Sequence, residues 1–181
     1  MRTLAGGKRI DTLFNAAQIA ARNEALAAEI TTAKLDHLLI VAVLKGSFVF
    51  AADLIRALHA AGMSPEVDFI SLSSYRAGTT SSGQVTILRD VESEVRDRNV
   101  LLVDDILESG RTLAFAKDLM AARRAKVVRT CVLLNKPGKR AADIDADYVG
   151  FECPDLFVVG YGMDMAHSFR ELPFVGVVSS D

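Results

Sequence analysis

Cysteine is scarce in this chain, and neither of its two cysteines has a CxxC companion: Cys131 and Cys153 stand far apart. That pattern argues against a disulfide framework and against a thiolate zinc site, and reads as two thiols in a reducing compartment. A surplus of positive charge is missing too. The 21 Lys and Arg against 23 Asp and Glu leave a formal charge of −2, without the basic footprint a nucleic-acid partner requires. Long apolar runs are absent: the longest, Leu38 to Leu44, falls far short of the ~20 residues a spanning helix needs. The opening MRTLAGGKRI lacks the apolar core of a signal peptide. No internal repeat or Pro/Ser-rich linker divides the chain. The expectation is a cytoplasmic protein of one domain, residues 1–181, with no membrane and no nucleic acid among its partners.

What is present is an alternation of apolar runs and amphipathic stretches. Asp11 or Thr12 is expected to cap a helix over 13–30, with Leu13, Ala17, Ala20, Ala21 and Ile30 as its apolar stripe. His37 to Leu44 reads as a strand buried on both faces. Ser47 opens a helix through Ala60, with Phe48, Ala52, Ile55 and Leu58 at helical spacing. Strands are predicted at Val67–Tyr75, Val85–Leu88, Asn99–Ile106 and Val127–Asn135, and a helix from Thr112 to about Arg124. The alternation predicts an α/β fold with an open, mainly parallel sheet and helices on both faces. Ligands of such sheets bind at the carboxyl ends of strands.

One such end is VLLVDDILESGRTL, Val100 to Leu113. An apolar strand runs into paired acids, then a Ser-Gly-Arg-Thr turn, then a helix. Gly110 can take a positive φ, so the turn can close its backbone N–H groups around a phosphate. The helix N-terminus adds partial positive charge, and Ser109 and Thr112 add hydroxyls. Asp104 and Asp105 stand within one sugar's length of a phosphate held there, and suit ribose hydroxyls or a magnesium held through water. The spacing by itself is also that of a solvated strand end with a glycine turn. A P-loop NTPase is excluded, because no G-x-x-x-x-G-K-[ST] segment exists. GYGMDM, Gly160 to Met165, lacks the third glycine and the following helix of a dinucleotide fingerprint.

With its flanks, this segment resembles the ribose-phosphate signature of the type I phosphoribosyltransferases. VLKGSFVFAADL (from Val43), DFISLSSY (from Asp68), LLNKP and DYVGFECPDLFVVGYGMDMAHSFRELPFVGVV narrow the resemblance to hypoxanthine-guanine phosphoribosyltransferases, over about residues 37–178. The resemblance implies a core at about 37–135 and a small hood from the N- and C-terminal segments, 1–36 and 136–181. It implies transfer of a phosphoribosyl group from phosphoribosyl pyrophosphate to a 6-oxo purine with Mg2+, in a homodimer or homotetramer. Asp104 and Asp105 would face the ribose and the metal, and Ser109, Gly110, Arg111 and Thr112 the 5′-phosphate. Lys45, Gly46 and Arg170 would meet pyrophosphate, with a cis peptide at Leu44–Lys45. Lys136, Phe157 and Val158 would hold the purine, and Asp164 a second magnesium. Ser74 and Tyr75 would enter a lid over 75–84. Taken singly, Phe157 reads as an ordinary core aromatic.

One position departs from the resembled pattern. The acid of the turn, expected as aspartate and as the general base, is Glu108 here. Its intrinsic pKa is nearly the same, about 4.3 against 3.9. Its extra methylene moves the carboxylate on the order of 1.5 Å, and displacements near 1 Å can cost about a hundredfold in rate. Glu108 therefore keeps open a second reading, a ligand-sensing regulator of the same fold that turns over weakly. Asn135, before the purine-reading lysine, is also unexpected.

Overall fold

The near-continuous apolar runs form the centre of a six-stranded sheet in the computed structural model, which describes residues 2–5, 8–74 and 85–179. The chain runs β1 (Arg2–Ala5), β2 (Lys8–Phe14), α1 (Ala16–Thr32), β3 (Leu38–Leu44), α2 (Phe48–Ala60), β4 (Glu66–Ser74) and β5 (Val85–Arg89). It continues through β6 (Asn99–Leu107), α3 (Arg111–Ala122), β7 (Val127–Asn135), a 3-10 turn (Pro137–Lys139), β8 (Tyr148–Glu152), β9 (Val158–Val159) and β10 (Val175–Ser179). The large sheet has the order β5-β4-β3-β6-β7-β8; β5 alone is antiparallel to its neighbour. The expected mainly parallel α/β architecture is what forms.

Both faces of that sheet are covered. On β3, Ile40 and Ala42 join the cluster beneath α1 and α2, while Leu39, Val41 and Val43 join the cluster beneath α3. β6 divides its residues the same way, Leu101 and Val103 against Val100 and Leu102. Period-two burial on both sides is why these strands read as unbroken apolar runs. Each large side chain so buried stabilises the fold by roughly 1.5–3 kcal/mol.

The helices correct the sequence reading in detail. α1 starts after Asn15, not at Asp11 or Thr12. The Asn15 side chain accepts from the Gln18 N–H at 2.9 Å, and the Gln18 side chain accepts from the Asn15 N–H at 2.9 Å. Residues 8–14 are instead a strand, paired with β10. The buried stripe of α1 is Ile19, Asn23, Leu26, Ala27 and Ile30, so only Ile30 of the expected stripe is inside. A buried asparagine hid the true period. Asn23 is accommodated because its amide donates to the Tyr161 hydroxyl at 2.9 Å. In α2 the buried residues are Phe50, Ala51, Leu54 and Leu58, while Phe48 is 45% exposed.

A second, antiparallel sheet of order β1-β2-β10-β9 joins the two ends of the chain. Ile10, Val159, Phe169 and Phe174 form its own apolar cluster. α1 and β8 sit with the large sheet rather than with this small one. Arg22 of α1 donates to the Gly150 and Val149 carbonyls of β8, at 2.9 and 2.6 Å.

Candidate active site

The order of strands fixes where a crevice must open. From β3 the chain crosses through α2 to β4 on one side, and from β6 through α3 to β7 on the other. The connections diverge between β3 and β6, and among the described residues a crevice lies between their carboxyl ends. Pairing of β6 with β3 stops at Val103, opposite Ala42, while pairing with β7 continues to Leu107. The residues beyond Val103 therefore stand clear of β3, beside the turn that leaves it. Those residues are Asp104 and Asp105.

A cavity of about 290 Å3 occupies the gap, lined by Lys45, Gly46, Asp104, Asp105, Glu108, Ser109, Gly110 and Thr112 among others. The Leu44–Lys45 peptide is cis, as the resemblance implied. Gly110 is the N-cap of α3 with φ +78° and has no side chain to offer, while the Arg111 N–H donates to Ser109 Oγ at 3.4 Å. The amides that follow Arg111 are left for a ligand at the end where the helix dipole favours an anion. A β-carbon at residue 110 would also lie 2.7 Å from Ile144 Cγ2, so glycine is needed there for space as well as for conformation. The exposed Arg111 side chain lines neither this cavity nor its neighbour.

The acid pair is set in an unfavourable place for two charges. Burial first, and then the charge of Asp105, push the Asp104 carboxyl well above the usual carboxylate range. Burial also raises Asp105, against the pull of the Ile106 amide and Arg170. The Asp105 N–H donates to Asp104 Oδ1, and the Ile106 N–H to Asp105 Oδ1, each at 2.9 Å. Such a pair is suited to a cation or to hydroxyl donors.

A second cavity of about 550 Å3 adjoins the first and shares Asp105 and Glu108 with it. Lys136, Phe157, Val158 and Asp164 line it. Lys136 is 7% exposed at the end of β7, its Nζ donating to the Leu156 carbonyl at 2.6 Å and lying 3.8 Å from Glu108 Oε1. Phe157 is 59% exposed, so the core-aromatic reading of that residue is wrong: its ring faces a cavity. Arg170 pairs with Asp164 at 2.8 Å and donates to the Gly162 carbonyl at 2.7 Å. Sequence reasoning missed Lys139, Asp155 and Leu156, which line the same cavity. Lys139 Nζ sits 3.7 Å from Glu108 Oε1 and 2.7 Å from Asp155 Oδ1. Only the two-lysine spacing of NKPGK hinted at them. Of the expected lid pair, Ser74 ends β4, and Tyr75 with residues 76–84 lies outside the described residues.

Comparison with known proteins identifies the family. The phosphoribosyl transferase domain model fits residues 9–166. The chain is 43% identical over 167 residues to a hypoxanthine-guanine phosphoribosyltransferase of Bacillus subtilis, covering 92% of this chain and 91% of the relative. It is 38% identical over 172 residues to a hypoxanthine phosphoribosyltransferase of Escherichia coli, covering 93% and 95%. Among solved structures, a hypoxanthine phosphoribosyltransferase from Staphylococcus aureus superimposes with a TM-score of 0.87 at 38% identity, covering 93% of this chain and 91% of that one.

Proposed function

The chain belongs to the phosphoribosyltransferases, and within them to the hypoxanthine-guanine enzymes of purine salvage; on that premise we propose that Glu108 is the general base and that Asp104 and Asp105 face the ribose. The observation that carries this reading is the meeting of three features in one crevice. They are a buried Asp104 beside a half-buried Asp105, a helix N-terminus whose N-cap is glycine, and a lysine–glutamate pair within 4 Å of each other.

Magnesium fits the acid pair, whose raised carboxyls a divalent cation would return to the ionised form. Among the described residues no group of three or more His, Cys, Asp or Glu could hold a metal alone. Two carboxylates with the oxygens of phosphoribosyl pyrophosphate would complete its shell. When bound, magnesium neutralises charge growing on the departing pyrophosphate.

The protein's own residues do the rest. Ser109, Gly110 and Thr112, with the first amides of α3, hold the 5′-phosphate and set the ribose over Asp104 and Asp105. Lys45, Gly46 and Arg170 receive the pyrophosphate end. Lys136 has three ammonium donors, so it can keep the Leu156 carbonyl while donating to a purine O6. Phe157 stacks on the base and the Val158 backbone meets its edge. A purine nitrogen then bonds to ribose C1 as the bond to pyrophosphate breaks, and Glu108 takes the purine's N7 proton. Fixed charges around a developing oxocarbenium ion and its leaving group are the main source of rate.

The test is a turnover assay with phosphoribosyl pyrophosphate and magnesium, offering hypoxanthine, guanine, xanthine and adenine separately. Turnover of 6-oxo purines without adenine is expected, because the amino group at position 6 of adenine donates where Lys136 also donates. Equal turnover of adenine would sink the purine-reading role of Lys136.

A further inference from the structure

The carboxyl ends of β6, β7 and β8 lie in register, and a polar chain crosses them behind the phosphate turn. Leu107 of β6 is opposite Asn135 of β7, and Asn135 is opposite Glu152 of β8. Asn135 Nδ2 donates to both Glu152 carboxylate oxygens, at 2.9 and 3.0 Å. Asn135 Oδ1 accepts from Arg140 Nη2 at 2.7 Å, and Arg140 Nη1 donates to the backbone carbonyl of Glu108 at 3.0 Å. The same segment braces the next residue, since the Ala141 and Ala142 N–H groups both donate to the Ser109 carbonyl, at 2.9 and 3.0 Å. The Arg140 stem passes over Gly110, where a β-carbon would lie 3.2 Å from its Cδ.

We infer that Asn135 is a positioning residue for Glu108: it orients Arg140, which fixes the backbone from which the longer acid reaches the purine. The inference rests on Glu108 being the base. Asparagine is the residue type this place requires. Arg140 needs an acceptor and Glu152 needs a donor, and one amide side chain supplies both from adjacent atoms. Aspartate would keep the acceptor but set two carboxylates against each other. An apolar residue would free the guanidinium to swing away from the Glu108 carbonyl. Because the extra methylene of Glu108 adds a rotatable bond, its carboxylate depends more on a fixed backbone than a shorter acid would. Glu152, on a strand that gives no residue to the cavities, becomes the fixed end of the chain.

The experiment measures single-turnover rate and KM for phosphoribosyl pyrophosphate in Asn135→Ala, Asn135→Asp, Asn135→Asp/Glu152→Gln, Glu108→Gln and Glu108→Gln/Asn135→Ala. Asn135→Ala is expected to slow chemistry roughly ten- to hundredfold, with KM within about twofold. Asn135→Asp is expected to slow it too. Adding Glu152→Gln, which restores a donor beside the new carboxylate, is expected to recover most of that loss. In the Glu108→Gln background, Asn135→Ala is expected to cost nothing further, since the group it positions is gone. A full-rate Asn135→Ala, or an equal loss with and without the Glu108 carboxylate, overturns the positioning role. A full-rate Glu108→Gln overturns the base assignment itself and the inference with it, and that single variant tells the two failures apart.

Discussion

Gly46 lies directly beneath the Asp105 carboxylate, so close that a β-carbon on residue 46 would overlap Oδ2. The turn after β3 and the carboxyl-terminal part of β6 thus touch through a missing side chain. Gly46→Ala must push the Asp105 carboxylate out of place while leaving both apolar clusters intact. A fall of roughly a hundredfold in kcat/KM is expected, with an unchanged far-ultraviolet circular dichroism spectrum. Near-normal turnover in Gly46→Ala would mean that Asp105 has no fixed role.

Asp104 is buried at a cost to stability. Its folded pKa lies above the unfolded value, so the penalty is absent below about pH 3.9 and grows as pH rises through the folded value. The penalty is thus larger at pH 7 than at pH 4. Asp104→Asn is therefore expected to raise Tm in magnesium-free buffer, by roughly 2–4 °C for each kcal/mol relieved, while activity collapses. Calorimetry at pH 4 and pH 7 checks the sign: the gain should be larger at pH 7.

Glu108 separates from its neighbours in its expected kinetic signature. Glu108→Gln should lose about 10²–10⁴ in the rate of the chemical step and keep its affinity for phosphoribosyl pyrophosphate, because the contacts proposed for the turn do not use the Glu108 carboxylate. Rapid-quench kinetics and a binding titration distinguish this from a collapsed loop, which would lose both.

Lys136 is buried, and its ammonium is held by the Leu156 carbonyl. Lys136→Met keeps the stem and removes the donor. The KM for hypoxanthine should rise at least tenfold, because a hydrogen bond to a charged group is worth about 1.5–3 kcal/mol. The preference over adenine should shrink in parallel. Unaltered discrimination would assign base selection elsewhere.

Asp147 ties β8 to β7 away from the cavities. Burial raises its carboxyl, but the Arg129 guanidinium and the Thr130 amide and hydroxyl outweigh this and hold it below the usual value. Its contribution is then complete above about pH 3.9 and lost as pH falls through the lowered folded value. Asp147→Ala should cost about 2 kcal/mol at pH 7. Urea titrations of parent and variant should converge as the buffer is taken to pH 2.

Composition and pattern alone were enough for the buried strands, the mainly parallel α/β class and the strand–turn–helix of Val100 to Leu113; the strand order that opens the crevice came from the folded sheet. Strands buried on both faces need unbroken apolar runs, and a tight turn into a helix with a positive φ favours glycine, so local composition suffices for both. Glu108 and Asn135 stood out as departures from the beginning. The face that each helix buries was beyond the sequence. Asn23 sits inside only because Tyr161, far along the chain, supplies its partner, and Phe48 sits outside although its neighbours are apolar. Phe157 read as core because aromatic residues usually are, and only the tertiary structure turned its ring to a cavity. The link from Glu152 through Asn135 and Arg140 to the Glu108 carbonyl joins three strand ends. No local pattern encodes it, because strand register brings those atoms together and register is a property of the folded sheet.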